Sequence, residues 1–333
     1  MTRGRMKKPP LALILTLFLA VLVLLGLASA CVGGVPTGFS EVMESLLCER
    51  ETGNSLIIRA IRIPRVLGAA LCGAMLGLCG VIFQAVFRNP MADPYLLGVS
   101  GGSSLAVALG SLAGITMGFL PSIPLLAFLG GLLATSIVLA ISRNNRRTLI
   151  LSGIALSGLF SALTTLVIYL RRTELANIIF WNMGSFASMT MTKVSIMAGV
   201  FCLSFIFVCF RSRSLDLMLL DSQSAASLGL DIRRSRLVFL VVGTVCTASA
   251  VCFCGIIGFS GLLAPHIARL AVGPEHRRLV PFSVLTGAII MLGADTIART
   301  IMAPTELPVG VITAILGTPL FVMLALKKEN GLW

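Results

Sequence analysis

Long apolar runs separated by short polar segments repeat along the whole chain. A helix of roughly 20 apolar residues, at about 1.5 Å per residue, is long enough to cross the hydrocarbon core of a bilayer. The pattern therefore predicts an all-α integral membrane protein, a single domain over residues 1–333 with about ten transmembrane helices. The predicted spans lie near 11–30, 66–87, 95–112, 122–141, 148–170, 193–210, 237–255, 258–271, 280–299 and 308–326.

The second span has the clearest boundaries. The sequence RIPR at 62–65 precedes it, a glycine-rich apolar run fills 66–87, and the polar sequence RNPMADP at 88–94 follows it. Gly73 and Gly77 are four residues apart within this run, a spacing that lets helix backbones approach closely in lipid. The arginines before the run and the polar break after it should therefore lie on opposite sides of the membrane.

Two apolar stretches, 95–141 and 237–272, are too long for one crossing. Glycines and a proline within 110–121, and glycines at 255 and 258, offer the turns that would divide each stretch into two helices. The long polar segments that remain are 32–60, predicted as an external loop containing a short surface helix, and 211–236.

The first apolar run follows a basic N-terminus and ends in small residues, as a secretory signal peptide does. At 11–30 it is long for a signal core and the right length for a span, so a retained first helix is predicted. Cys31 and Cys48 fall in the loop that follows. They could form a disulfide if that loop is extracytoplasmic.

Composition and charge agree with this interpretation. The chain is 57% hydrophobic and only 12% charged, far from the balance of soluble domains. Ten spans with cytoplasmic N- and C-termini place most of the 26 lysines and arginines in inner segments, as membrane proteins usually do. The net charge of +13 is explained in this way, and nucleic-acid binding is not expected, because no basic stretch has interleaved aromatic residues.

Few residues offer catalytic or ligand-binding chemistry. Asp295 and Arg299 are one helical turn apart and form either a local ion pair or a functional pair. His266 and His276 are expected to be hydrogen-bonding residues rather than metal ligands. The chain has no GxxxxGK[ST] phosphate loop and no recognisable catalytic triad, so no catalytic residue, metal or cofactor is expected, and any coupling to ATP must come from a separate subunit.

Several longer motifs occur in the order and spacing of a known family. The motifs are RIPR at 62–65, RNPMADPYLLGVSGG at 88–102, GIALSG at 153–158, WNMGSF at 181–186, DSQSAASLGLDI at 221–232, GIIGFSGLLAPHIARL at 255–270, GPEHRRLVP at 273–281, GADTIAR at 293–299 and ELPVGVITAILGTPLF at 306–321. Through these motifs the chain resembles, over about residues 60–328, the FecCD/BtuC-type permeases of ABC importers, which carry iron–siderophore complexes, haem or cobalamin.

The resemblance implies a homodimer in a bacterial or archaeal cytoplasmic membrane, with the translocation path between the two copies. Two cytoplasmic ATPase subunits would bind below it, and one extracytoplasmic binding protein above it. Ferric siderophore is the first expected substrate, followed by haem and cobalamin. The alternatives are an ion-coupled secondary transporter, which would need an essential carboxylate or unwound backbone at membrane depth, and a membrane enzyme, for which no catalytic cluster is found.

The resemblance also assigns residues to roles. Outward-facing arginines would receive acidic residues of the binding protein: Arg62, Arg65 and Arg299. The cytoplasmic segment 211–236 would couple to the ATPase through Leu215, Asp221, Ala225, Ala226, Leu228 and Gly229. The cytoplasmic gate would comprise Asn89, Met91, Arg146 and Arg147. Weakly polar side chains would line the path: Ser157, Ser161 and Thr164.

Overall fold

A computed structural model describes residues 11–33, 38–47, 53–113, 122–143, 145–170 and 175–328. Within these ranges the regular structure is entirely helical. The helices are α1 Leu11–Cys31, α2 Phe39–Leu47, α3 Gly53–Ile57, α4 Ile63–Phe87, α5 Val99–Leu112, α6 Ser122–Ser142, α7 Arg146–Leu170, α8 Leu175–Asn182, α9 Met191–Phe210, α10 Ser212–Leu219, α11 Ser222–Ser227, α12 Ile232–Cys254, α13 Ser260–Val272, α14 His276–Thr300 and α15 Val309–Lys328.

Each predicted span corresponds to one of these helices, but not every helix is long enough to cross a bilayer. Seven described helical segments meet the requirement of length and apolar composition: Leu11–Cys31, Ser55–Phe87, Ile123–Ser142, Arg146–Leu170, Met191–Phe210, Ile232–Cys254 and His276–Thr300. The helices α5 and α13 have 14 and 13 residues, and the apolar part of α15 is also short. The multi-pass helical architecture is confirmed, whereas the number of ten spans and the side of each terminus stay predictions.

Three long helices begin earlier than the apolar runs suggest. The second predicted span is continuous from Ser55, because a π-helical turn at Ile58–Arg62 joins α3 to α4. Pro64, which lacks a backbone N–H and whose ring crowds the carbonyl four residues earlier, lies two residues after this wider turn. α12 and α14 begin at Ile232 and His276, ahead of the apolar runs, and Asp231 caps α12 by accepting a hydrogen bond from the Arg234 backbone N–H at 3.0 Å.

The loop after α1 contains a short helix, as predicted. Val42 of α2 is fully buried against Ala30 and Ile58, which ties this loop to the start of the second span. Cys48 lies outside the described residues, so the possible disulfide with Cys31 stays open.

The helix α4 is the centre of the bundle. Every residue from Cys72 to Phe87 is buried, and α14, α12, α13 and α9 pack around the helix. Gly73 faces the backbone of Gly287 on α14, and Gly80 faces the carbonyl of Gly261 on α13, so closely that a methyl group at either position would overlap those atoms. The glycine-rich run therefore serves close backbone packing, as the spacing predicts.

Candidate functional site

Two clusters of polar side chains, one at each end of α4, carry most of the candidate residues. The first cluster joins Arg65, at the start of α4, to Asp295 near the end of α14 and to Glu306 in the following loop. Nη2 of Arg65 donates to Oδ1 of Asp295 at 2.9 Å, and Nη1 donates to both carboxylate oxygens of Glu306 at 2.9 and 2.8 Å. Arg299 contacts Asp295 from one turn further along α14, with Nε 3.2 Å from Oδ2. Asp295 is fully buried, and Arg65 and Arg299 together balance its charge.

The guanidinium groups of Arg62 and Arg299 also hold the C-terminal end of α1. Nη1 of Arg62 donates to the carbonyls of Ala30 and Cys31 at 2.9 and 3.1 Å. Arg299 donates to the carbonyls of Ser29 and Val32 at 3.1 and 3.0 Å. The last carbonyls of a helix lack partners within the helix and carry the negative end of its dipole, so two cations there satisfy and stabilise them.

The three predicted docking arginines are buried within the chain in this structure. Arg62, Arg65 and Arg299 are only 5, 6 and 7% exposed, because carboxylates and carbonyls of the same chain surround them. Their role in binding a partner stays a prediction. In the described geometry, such a partner would have to displace contacts that the arginines already make within the chain.

The local ion pair between Asp295 and Arg299 is confirmed, but the sequence reasoning missed the larger cluster. In the sequence, Glu306 stands out only as the first residue of the motif at 306–321, and Arg65 only as a docking residue. The predicted spans place all of these residues on the same side of the membrane, and this shared position is the sequence signal that could have pointed to the cluster.

The second cluster surrounds the predicted coupling segment, which forms the two short helices α10 and α11. Leu215 and Ala225 are fully buried and attach the segment to the bundle. Ala226, Leu228 and Gly229 are exposed, with Leu228 57% accessible. The structure thus divides the predicted coupling residues into an inner, anchoring pair and an exposed group.

Asp221 caps the start of α11. Its Oδ2 accepts a hydrogen bond from the Ser224 backbone N–H at 2.9 Å. Hydrogen bonds from the Ser224 side chain and backbone favour the ionised carboxylate and hold the pKa of Asp221 below its usual value. The cap is therefore fully formed at neutral pH and is lost only as the pH falls through that lowered pKa.

Two residues that the sequence reasoning did not assign connect α10 to the long helices. Arg88, which ends α4 in a left-handed conformation, donates from Nε to the Met218 carbonyl at 2.6 Å and from Nη2 to the Leu220 carbonyl. Asp216 accepts from the backbone N–H of His276 at 3.1 Å, and the His276 ring nitrogen Nδ1 lies 2.6 Å from the same carboxylate oxygen. The expected hydrogen-bonding role of His276 is confirmed, and α10 is held by the ends of both α4 and α14.

The predicted gate residues lie near this second cluster. Asn89 is exposed, and its Oδ1 accepts from the Met91 backbone N–H at 3.0 Å, which fixes the turn after α4. Arg146 begins α7 and lies within electrostatic reach of Arg88 and Arg236, while Arg147 is exposed beside it. The structure brings the two predicted halves of the gate to the same end of the bundle, and their gating role stays a prediction.

The predicted path residues follow one stripe of α7 but differ in exposure. Ser161 is exposed and Ser157 is half-buried, beside Gly98. Thr164 is buried, and its hydroxyl donates to the Phe160 carbonyl of its own helix at 2.8 Å. The hydroxyl hydrogen of Thr164 is therefore already used within α7, and the role of these three residues in a path stays a prediction. The exposed surface of α7 is mostly apolar, including Leu151, Ile154, Leu159, Leu166 and Tyr169.

Comparisons with known proteins agree over most of the chain. The model of the FecCD transport family matches residues 20–327. The hemin transport system permease protein HmuU of Yersinia pestis is 36% identical, with 96% of each chain covered. The cobalamin import system permease protein BtuC of Halobacterium salinarum is 38% identical over 82% of this chain and 74% of its own. A solved structure of a protein assigned as a metal-chelate type ABC transporter, in an inward-facing conformation, superposes with a TM-score of 0.85 at 33% identity and covers 94% of this chain and 99% of its own.

The resemblance seen in the motifs is therefore confirmed along the chain and in three dimensions. The relatives are permeases of ABC transporters, multi-pass proteins of the cytoplasmic membrane, and the apolar helices described above fit that location. The chain belongs to the FecCD transport family.

Proposed function

We propose that this chain is the permease subunit of an ATP-binding-cassette importer, which receives an iron chelate from an extracytoplasmic binding protein and passes it into the cytoplasm. The observation that carries this proposal is the segment α10–α11. Its exposed residues Ala226, Leu228 and Gly229 are suited to contact a partner, while Arg88 and Asp216 tie the segment to α4 and α14. Movement of a partner ATPase would thus be transmitted directly to the centre of the bundle.

The partners follow from the same proposal. Two copies of this chain form a homodimer with the path between them, two ATPase subunits bind α10–α11, and one binding protein docks at the end that carries Arg65. The permease itself holds no cofactor and hydrolyses no ATP. Ferric siderophore is the first choice of substrate, with haem and cobalamin next. Relatives named for hemin and for cobalamin transport are almost equally identical to this chain, at 36 and 38%, so overall identity does not choose among these substrates.

The ion pairing of Asp295 supports this function over ion-driven transport. Asp295, in the first cluster described above, is fully buried and is paired with Arg65 and Arg299. A carboxylate that carries protons or sodium must release its partner in each cycle, whereas this one links two helices and is held by two permanent cations.

Uptake measurements in cells test the proposal. Labelled ferric siderophore, haem and cobalamin are offered to cells with and without this gene, and with the partner ATPase intact or inactivated. Loss of uptake of one substrate on removing either component supports the importer and names the substrate. If uptake needs this chain but continues after the ATPase is inactivated, the result would contradict the importer and favour a secondary transporter.

A substitution at Gly229 tests the coupling segment. Gly229 has a φ of +82°, and nothing lies within 4 Å of where a Cβ would stand, so backbone strain rather than space limits substitution. Gly229→Val is expected to cost about 1–2 kcal/mol in this local conformation and to lower uptake per ATP hydrolysed in proteoliposomes. Gly229→Asn is the matched control, because asparagine tolerates left-handed conformations. Equal coupling in both variants would contradict the assigned role.

A substitution at Glu306 tests the docking end. The Glu306 side chain is 42% exposed and occupies Nη1 of Arg65, where an acidic residue of a binding protein would have to bind. Glu306→Gln is therefore expected to strengthen binding-protein association several-fold and to increase its salt sensitivity, since the partner no longer competes with an internal carboxylate. The control is Glu275→Gln, which removes an exposed carboxylate at the opposite end of α14. Weaker or unchanged binding in Glu306→Gln would show that Arg65 does not receive the partner.

A further inference from the structure

A cavity of about 690 Å³ opens beside the coupling segment, between the end of α9, the helix α10 and the beginning of α12. This volume falls in the range of small-molecule binding sites. Its lining includes the apolar side chains of Phe207, Leu217 and Val238. It also includes charged side chains: Arg211, Arg213, Asp231 and Arg234.

The charged side chains of the lining have an excess of positive charge. They comprise three guanidinium groups and one carboxylate, and Oδ1 of that carboxylate, on Asp231, already accepts the Arg234 backbone N–H as the cap of α12. Within the described part of the chain, no carboxylate forms an ion pair with Arg211, Arg213 or Arg234. The cavity is therefore suited to an anion.

The helices α9 and α12, which contribute to the cavity, also carry exposed apolar side chains suited to hydrocarbon. Beside the cavity, α9 and α12 expose Leu203, Ile206, Phe210 and Val241, and Phe210 is 86% accessible. A soluble anion such as inorganic phosphate would use only the arginines and leave this surface bare. A ligand with an anionic head and apolar chains would use both parts.

We propose that this cavity binds the headgroup of an anionic phospholipid, with its acyl chains along the exposed surfaces of α9 and α12. Basic pockets between membrane helices on the cytoplasmic side are suited to such headgroups. The inference uses the cytoplasmic orientation of α10 from the proposed function. Leu228, Gly229 and Leu230 line the same cavity, so a bound headgroup would contact the segment that is proposed to couple to the ATPase.

Native mass spectrometry of the purified full chain tests the binding without any transport step. Phosphatidylglycerol is expected to be retained in preference to phosphatidylcholine, and each of Arg211→Gln, Arg213→Gln and Arg234→Gln is expected to weaken its binding about five-fold. Arg143→Gln is the matched control, because it removes one exposed arginine outside the cavity and should bind like the unchanged chain.

Equal retention of the two lipids, or an equal loss in Arg143→Gln, would overturn the proposal. Displacement of phosphatidylglycerol by inorganic phosphate at a similar concentration would also overturn it, since the apolar chains would then contribute nothing. Loss of the lipid when the ATPase binds would assign the cavity to that protein contact instead. Size-exclusion profiles should be unchanged for all variants, because each substituted side chain is exposed.

A second measurement separates this proposal from the proposed function. In proteoliposomes with the ATPase and binding protein, phosphatidylglycerol is expected to raise uptake per ATP hydrolysed, and Arg211→Gln with Arg234→Gln should abolish that increase. Uptake that is ATPase-dependent but insensitive to the lipid would contradict the link to coupling and leave the importer intact. Lipid retention without any uptake would support the lipid site and count against the importer.

Discussion

Gly80→Ala is expected to lower the free energy of unfolding by about 1–3 kcal/mol or more, although it adds only one methyl group. At Gly80 the new Cβ would overlap the carbonyl oxygen of Gly261 and would lie 2.8 Å from Cγ of Pro265. These neighbours are backbone and a proline ring, so no side-chain rotation can relieve the overlap, and α4 and α13 would have to separate. Thermal unfolding in detergent, followed by size-exclusion chromatography, measures the loss.

Gly199→Ala is the matched control for this experiment. Gly199 lies in the interior of α9, and nothing stands within 4 Å of the position of its Cβ. Alanine favours a helix over glycine by up to about 1 kcal/mol, so this variant should be as stable as the unchanged chain or slightly more stable. Equal stability of the two alanine variants would mean that α4 does not pack against α13 as closely as described.

Asp295→Asn is expected to destabilise the folded protein by about 3–5 kcal/mol, the usual cost of removing one partner from a buried ion pair. Asp295 is fully buried and contacts the guanidinium groups of both Arg65 and Arg299. An amide of the same size would leave these two cations facing each other with only Glu306 to balance them. The same unfolding assay measures the effect.

The exposed pair of Glu275 and Arg278 provides the comparison. Its atoms are 3.2 Å apart, but both side chains are more than half exposed, so Glu275→Gln should change stability by less than about 1 kcal/mol. If both carboxylate substitutions had similarly small effects on stability, the first cluster would contribute little to the free energy of unfolding. Its arginines would then be more available to a partner than the structure indicates.

The positions of the helices could be predicted because each span depends on a local property, an uninterrupted apolar run. The ends of α4, α12 and α14 could not, because polar and basic residues extend these helices past the apolar run. Helix caps such as Asp231, and arginines whose apolar stems cover the surface, make this possible. The short helices α5 and α13 were placed correctly, but their length leaves the number of spans open.

The contacts within the candidate site could not be predicted from the sequence. Residue types and motif order pointed to Arg62, Arg65 and Arg299 and to the coupling segment, but not to what these residues contact. Arg65 and Asp295 are 230 positions apart, and Arg88 and Met218 are 130 apart, and no local pattern in a single sequence reports such a contact. The burial of Arg62, Arg65 and Arg299 could not be predicted for the same reason, since it depends on partners supplied by α1, α14 and the loop after α14.

The capping of α1 has a consequence for the biosynthesis of this protein. Its first cation, Arg62, is 32 residues from Ala30 and leaves the ribosome soon after the helix itself. Its second, Arg299, is 270 residues from Ser29. At about 5–20 residues per second, the ribosome needs on the order of tens of seconds to supply it. The C-terminal carbonyls of α1 are therefore only partly capped until α14 has been synthesised, and during that interval this helix end is a site that a protease of membrane quality control could attack.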